Sequence, residues 1–257
     1  MIYFYHIKGT VEHAVKITLL LPMYNESNII KDTLTTVSAY MKREFSDGYE
    51  ILVVNDGSRD GCADIVRGFP DPCVRLISYE ENRGKGYAIR CGVKEALGEV
   101  IMFTDCDLAY GTEVIREFYD ALGESGAGVA VGSRPKHKDG YAGYTPMRKL
   151  VSRTYLWVLR LFGGLHLSDS QCGCKAFTAR AAKEIFSRCE VDRFAFDMEA
   201  IMLAERLGIS FIEIPVTVKN HGESKVSVLR DTPKMLRDLL KMKRRIRRMN
   251  IQKLEEK

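Results

Sequence analysis

Nowhere does this sequence hold the roughly 18 uninterrupted apolar residues that a membrane-spanning helix requires. The nearest approach, Tyr155 to Leu167, is short, carries Arg160 and breaks at Gly163-Gly164. The stretch Met1 to Lys16 has neither the basic start nor the cleavage site of a secretory signal, so a peripheral protein without a transmembrane helix is expected. Paired cysteine spacing is missing as well. Of seven cysteines only Cys172 and Cys174 lie close together, which argues against a disulfide framework and for reduced thiols in the cytoplasm. A zinc site from Cys172, Cys174 and His166 lacks the second Cys/His pair that zinc-ligand spacing normally brings. No G-x-G-x-x-G follows the first strand-like run, which excludes a dinucleotide oxidoreductase. The glycine-rich phosphate loop expected of a nucleotidyltransferase is absent from the same place. There is no internal repeat and no low-complexity linker.

What is present fits a globular chain with a sizeable core: 46% of the 257 residues are hydrophobic and 28% charged. The net charge of +5 is concentrated at one end. Lys234 to Lys253 contains nine Lys or Arg against the single acid Asp238, so the rest of the chain is slightly acidic.

Strand-like and helix-like runs alternate through the first half. Short apolar runs at Ile17–Leu21, Glu50–Val54, Val74–Tyr79 and Val100–Thr104 predict buried strands. Helical spacing is expected over Asn28–Met41, Ala63–Phe69, Lys85–Leu97 and Thr112–Leu122. Further on, the pattern predicts strands at Gly128–Val131, Gly173–Phe177 and Ile209–Val218. It predicts helices at Met147 to about Phe162, Ala179–Phe186 and Asp197–Leu207. Repeated β-α-β units imply an α/β fold, with a mostly parallel central sheet and helices on both faces.

Ligands of such sheets sit outside the carboxyl ends of the strands. Tyr24, Asn25 and Glu26, then Asp56, then Asp105 and Asp107 all follow strands directly, so they should converge on one sheet edge. Asn, Asp and Gly also favour ordinary turns, but three acidic clusters at one edge weaken that reading. Asp105-Cys106-Asp107 places two carboxylates one residue apart, a spacing suited to a hard divalent cation shared with substrate phosphates.

Taken in order, Pro22-Met23-Tyr24-Asn25-Glu26, Val53-Val54-Asn55-Asp56-Gly57-Ser58, Asn82-Arg83-Gly84-Lys85-Gly86 and Asp105-Cys106-Asp107 resemble glycosyltransferase family 2, with its GT-A nucleotide-diphospho-sugar transferase fold. Asp169-Ser170-Gln171-Cys172-Gly173-Cys174-Lys175, Arg193 to Glu199 and Glu213-Ile214-Pro215-Val216 look like its dolichyl-phosphate glucosyltransferase and mannose synthase branch. The resemblance runs from about Ile17 to Val228. It implies that Pro22, Tyr24, Glu26, Val54, Asp56 and Cys106 surround the donor nucleotide, and that Asp105 and Asp107 hold Mg²⁺ or Mn²⁺. Ala109 stands where mannose synthase relatives place a metal-assisting Gln, and Cys106 and Cys174 replace the more usual Ala and Phe. The donor this implies is UDP-glucose, with GDP-mannose as the alternative.

Arg134, Arg148 and Ser152 form the expected acceptor-phosphate site. Arg148 and Ser152 are one helical turn apart, and arginine forks suit phosphate oxygens. The rival reading is ordinary surface charge; the same pattern in polyprenyl-phosphate mannose synthases favours a polyprenyl-phosphate acceptor. A phosphate monoester, with a second pKa of about 6, attacks without a dedicated base, whereas a glycan hydroxyl would need one. One-step inversion is the expected course. Lys85, Lys219 and Lys225 are candidates to steady phosphates. Asp169, Gln171, Asp197 and Glu199 are expected either to orient sugar or acceptor, or to serve as loop and helix-cap acceptors.

In the tail, Met235, Leu239, Met242, Ile246 and Met249 recur at helical spacing among Lys241, Lys243, Arg244, Arg245, Arg247 and Arg248. A basic amphipathic helix lying on anionic headgroups is expected, without nucleic-acid binding. Tyr155, Trp157 and Phe162 either flank the lipid or belong to the core. The expected organisation is an extension over 1–16, a catalytic domain over 17–230 and the basic helix over 231–257. A non-enzymatic membrane scaffold built on that helix is the remaining alternative.

Overall fold

In the computed structural model, residues 3–5, 14–142, 144, 167–193, 195–219 and 239–249 are described. Along the chain these form β1 (Tyr3–Tyr5), β2 (Ile17–Met23), α1 (Ile30–Glu44), β3 (Tyr49–Asp56), α2 (Cys62–Arg67), β4 (Val74–Tyr79), α3 (Lys85–Glu95), β5 (Val100–Phe103) and α4 (Glu113–Ser125). Then come β6 (Val129–Ser133), β7 (Lys175–Thr178), α5 (Ala179–Phe186), α6 (Phe196–Leu207), β8 (Phe211–Pro215) and a helix over 239–248, here α7.

The strands make one eight-stranded sheet in the order β1-β4-β3-β2-β5-β7-β6-β8. β4, β3, β2 and β5 are mutually parallel, in register Ile17↔Tyr49, Ile51↔Val74 and Ile17↔Val100. β7 runs antiparallel between β5 and β6, and β8 lies parallel to β6. β1 adds an antiparallel edge to β4, so part of the expected N-terminal extension belongs to the sheet.

Alternation along the buried strands divides the core. Leu20, Leu52, Val54, Ile77 and Phe103 face α3, α5 and α6, whereas Ile17, Leu19, Leu21, Ile51 and Val53 face α1, α2 and α4. Both faces are covered, which is why β3 is buried along its whole length. At the end of β5, Phe103 stacks on Phe177 at 5.8 Å and leans on Phe196 at 5.8 Å, tying the two halves of the sheet together.

α7 corrects one expectation. Leu239, Met242 and Ile246 are buried in the same core as α6, so the apolar face of the tail rests on the protein and not on lipid. Lys241, Arg244, Arg247 and Arg248 point outward with Leu240. Among the described residues no helix is long and apolar enough to cross a membrane. Met235, Tyr155, Trp157, Phe162 and His166 lie outside the described residues.

Candidate active site

Three parallel strands deliver the site to one edge. Met23 at the end of β2 sits opposite Asn55, Asp56 at the end of β3 opposite Tyr79, and Phe103 at the end of β5 opposite Leu20. The acidic clusters therefore leave the sheet together, as their places after strands predict.

Hydrogen bonds lace the β2 and β3 loops. The Asn25 amide donates to Ser58 Oγ at 2.9 Å and the Arg59 amide donates to Asn25 Oδ1 at 3.0 Å. Asn25 adopts φ 54°, a left-handed conformation that Asn tolerates better than most residues. The Ser27 amide donates to Asp60 Oδ2 at 2.8 Å. Burial pushes the Asp60 carboxyl up, but hydrogen bonds from Cys62 and Ser27 outweigh it and hold the group below its ordinary range. Tyr24 is 44% exposed at the mouth of this edge, and the Glu26 carbonyl accepts the Ile29 and Ile30 amides that open α1.

Asp56 is turned inward. Its oxygens accept the Arg83 and Gly84 amides, both at 2.8 Å, and Asn82 Nδ2 at 2.9 Å, so it builds the turn that leads into α3. Val54 is fully buried among Leu20 and Leu52, and Cys106 is buried with its Sγ donating to the Pro22 carbonyl at 3.4 Å. The side chains of Val54 and Cys106 therefore shape the edge from behind.

That turn presents Lys85 to the β5 loop. Lys85 Nζ lies 2.5 Å from Asp105 Oδ1, with the two side chains 18% and 42% exposed. Burial disfavours the ammonium, but the charges of Asp105 and Asp197 outweigh it and raise the Lys85 pKa above 10.5. Asp107 is exposed at the loop tip and accepts the Ala109 amide at 3.0 Å. Desolvation and the like charge of Asp105 push its carboxyl above the ordinary 3.8. Gly173 completes the wall, since a Cβ there would sit 2.6 Å from Asp105 Oδ2.

This donor set fits a hard divalent cation. Both groups are carboxylates, and their mutual repulsion is a cost that a cation would relieve. Among the described residues no third His, Cys, Asp or Glu joins them, so phosphate and water oxygens would complete the shell. Beyond Asp107 a cavity opens between α1 and the β5 loop, bordered by Thr33, Leu108, Thr112 and Lys219. Lys219 donates its amide to Ala109 O at 2.7 Å and its ammonium to Glu113 Oε2 at 2.8 Å.

The acids of the second half behave differently. Asp169 is fully buried and receives Arg134 Nε at 2.6 Å and Nη2 at 2.8 Å, a fork that leaves Nη1 toward Tyr144 Oη at 3.5 Å. Glu199, also fully buried, accepts the Glu190 and Val191 amides and Arg245. Asp169 and Glu199 thus have their oxygens answered from within the chain, the loop bonding that was the alternative expectation for both. Asp197 pairs with Lys175 Nζ at 2.8 Å on the side facing Lys85. The Gln171 amide donates to Asp169 Oδ1 at 3.2 Å, while its side-chain Nε2 is buried without a hydrogen-bond partner. Arg148, Ser152 and Lys225 lie outside the described residues.

Lys175, missed as a site residue by sequence reasoning, is fully buried and also donates to the Cys172 carbonyl at 2.6 Å. Its signal was a lysine inside an apolar strand, since a fully buried lysine needs an acid partner. Cys172 and Cys174 are buried beside it, and burial pushes both thiols up.

Residues 18–186 match the family described as Glycosyl transferase family 2. Over 223 residues the chain is 34% identical to the dolichyl-phosphate beta-glucosyltransferase ALG5C of Trichomonas vaginalis, covering 82% of this chain and 66% of that protein. It thus spans just under two thirds of that relative's length. It is 30% identical over 240 residues to the dolichyl-phosphate beta-glucosyltransferase of Drosophila melanogaster, covering 88% of this chain and 74% of the other. The fold matches glucosyl-3-phosphoglycerate synthase from Mycobacterium tuberculosis, crystallised with Mn²⁺, UDP-glucose and phosphoglyceric acid. There the TM-score is 0.65 at 18% identity, over 89% of this chain and 78% of that one. With the GT-A sheet, the Asp105–Asp107 loop at its carboxyl edge and these likenesses together, the chain belongs to glycosyltransferase family 2, on the branch that holds the dolichyl-phosphate β-glucosyltransferases.

Proposed function

We propose that this enzyme transfers glucose from UDP-glucose to the phosphate of dolichyl or another polyprenyl phosphate at a membrane surface, with Mg²⁺ or Mn²⁺ and with inversion. The observation that carries the reading is the Asp105–Asp107 pair at the sheet edge, half-buried and exposed respectively, with the Lys85 ammonium 2.5 Å from Asp105. The names of the relatives supply the sugar and the acceptor.

Asp105 and Asp107 would hold the cation, which supplies charge neutralisation for the departing diphosphate. Lys85 stands where it adds a permanent positive charge to the same phosphates, and Lys219 borders the adjoining cavity. Tyr24, exposed at the mouth of the β2 and β3 loops, would cover the base. The acceptor phosphate carries its own nucleophilic oxygen, so the protein's task is to align it with the anomeric carbon. Arg134 contributes one donor to that task through Nη1, because Asp169 holds Nε and Nη2. Arg148 and Ser152 are the proposed remainder of the acceptor site. The outward basic face of α7 supplies electrostatic contact with anionic headgroups, with its apolar face already used by the core.

The test is transfer from radiolabelled UDP-glucose and GDP-mannose to dolichyl phosphate, with either cation and an Asp107→Asn control. Metal-dependent labelling of the lipid from UDP-glucose, lost in the control, is expected. Labelling from GDP-mannose alone would replace the donor, and none from either would overturn the acceptor.

A further inference from the structure

Besides its apolar face in the core, α7 is held to the body by ion pairs of one side chain, Arg245. Arg245 Nη2 donates to Glu199 Oε1, and Arg245 Nη1 lies 2.5 Å from Glu190 Oε1. The other oxygen of Glu199 accepts the amides of Glu190 at 3.0 Å and Val191 at 2.8 Å. One buried side chain, 1% exposed, thus joins the C-terminal helix to the chain at 190–191.

That chain in turn grips the start of α3. Val191 O accepts Arg90 Nη1 at 2.9 Å, Asp192 O accepts the Tyr87 amide at 3.1 Å, and Arg90 Nη2 pairs with Asp192 Oδ1. The contact leaves no slack. A Cβ on Gly86 would lie 2.3 Å from Val191 O and 2.7 Å from Phe196 Cβ, and one on Gly84 would lie 2.5 Å from Asp192 O. Gly84 and Gly86 flank Lys85, whose ammonium meets Asp105.

We propose that Glu199 and Arg245 are positioning residues for Lys85. They hold the 190–192 strut against the Gly84–Gly86 turn and so set where the Lys85 ammonium stands relative to the donor diphosphate. The inference rests on the reading of Lys85 as a diphosphate contact. Close-packed backbone transmits displacement instead of absorbing it. Removing Arg245 leaves the Glu199 charge buried without its cation, which weakens its hold on the strut. The C-terminal helix is then part of the donor site's support.

The experiment measures UDP and uridine binding by calorimetry in Mn²⁺, on the full chain, for the parent, Arg245→Met, Lys85→Met and the double variant. Arg245→Met should weaken UDP about tenfold, within the range for coupling through packed networks, and leave uridine unchanged. In the Lys85→Met background it should cost nothing further, and Arg245→Lys should recover part of the loss. Amide exchange at Tyr87 should quicken in Arg245→Met. Should Arg245→Met not fold, Arg245→Lys carries the same comparison with a smaller loss. Unchanged UDP affinity beside a lowered melting temperature would reduce the pair to an anchor and overturn the proposal, as would an equal loss in both backgrounds. A parent that binds no UDP would instead overturn the donor reading, and this inference with it.

Discussion

Asp107 and Asp169 are both acids that the family pattern picks out, yet the molecule uses them in opposite ways. Asp107 stands at the tip of the β5 loop, and desolvation together with the like charge of Asp105 pushes its carboxyl up. Asp169 is fully buried and answered by the Arg134 fork. The first arrangement is costly without a ligand. The second is satisfied within the chain. On the proposed reading, acids that keep an unfavourable, solvent-facing geometry mark the reacting edge, and acids with a buried arginine mark the frame behind it.

The comparison breaks most visibly if Asp169 is removed. Asp169→Ala should destabilise the fold by about 3–5 kcal/mol, because the Arg134 guanidinium is left buried without its partner. Urea denaturation measures this directly. Asp107→Asn should do the reverse, lowering transfer by roughly 10²–10³-fold with the melting temperature no lower than the parent's. A drop in stability comparable to that of Asp169→Ala would erase the distinction. Lys85→Met comes next. Loss of a charged hydrogen bond worth about 1.5–3 kcal/mol should raise the donor KM roughly ten- to hundredfold in steady-state assays, with the KM for lipid unchanged.

The smallest effect sharpens the frame side. Burial pushes the Glu213 carboxyl up, but hydrogen bonds from Lys136 and Ser168 outweigh it and hold it below its ordinary 4.5. A lowered folded pKa means that this group's stabilisation is present above pH 4.5 and is lost as pH falls through the folded value. Glu213→Gln should therefore be less stable than the parent near neutrality, and the gap should close on acidification in thermal melts followed by circular dichroism.

The sheet edge that carries the candidate site was largely legible in the sequence because strand, turn and acid are adjacent there. Val100 to Thr104 reads as a buried strand, which forms over Val100–Phe103, and Asp105 and Asp107 follow it, so position and chemistry arrive together. The frame was not legible, because its partners are distant in sequence. Glu199 meets Arg245 across 46 residues, and nothing around either says that they touch. In β3, covered on both faces, alternation does not tell which side chain faces the ligand edge and which the core. The tail's helical spacing was visible, but an apolar stripe reads the same whether it covers lipid or the protein's own core, and Leu239, Met242 and Ile246 chose the core. The antiparallel insertion of β7 between β5 and β6 left no mark either, since register and direction depend on a connection that composition does not encode.

The most direct test of the central claim is calorimetric binding of UDP to the parent and to Asp107→Asn, with Mn²⁺ and with the metal chelated. The account predicts tight binding by the parent only when metal is present, and weak, metal-independent binding by the variant at an undiminished melting temperature. Equal UDP affinity in all four conditions would contradict it, and would move the Asp105–Asp107 pair from the reacting edge to the frame.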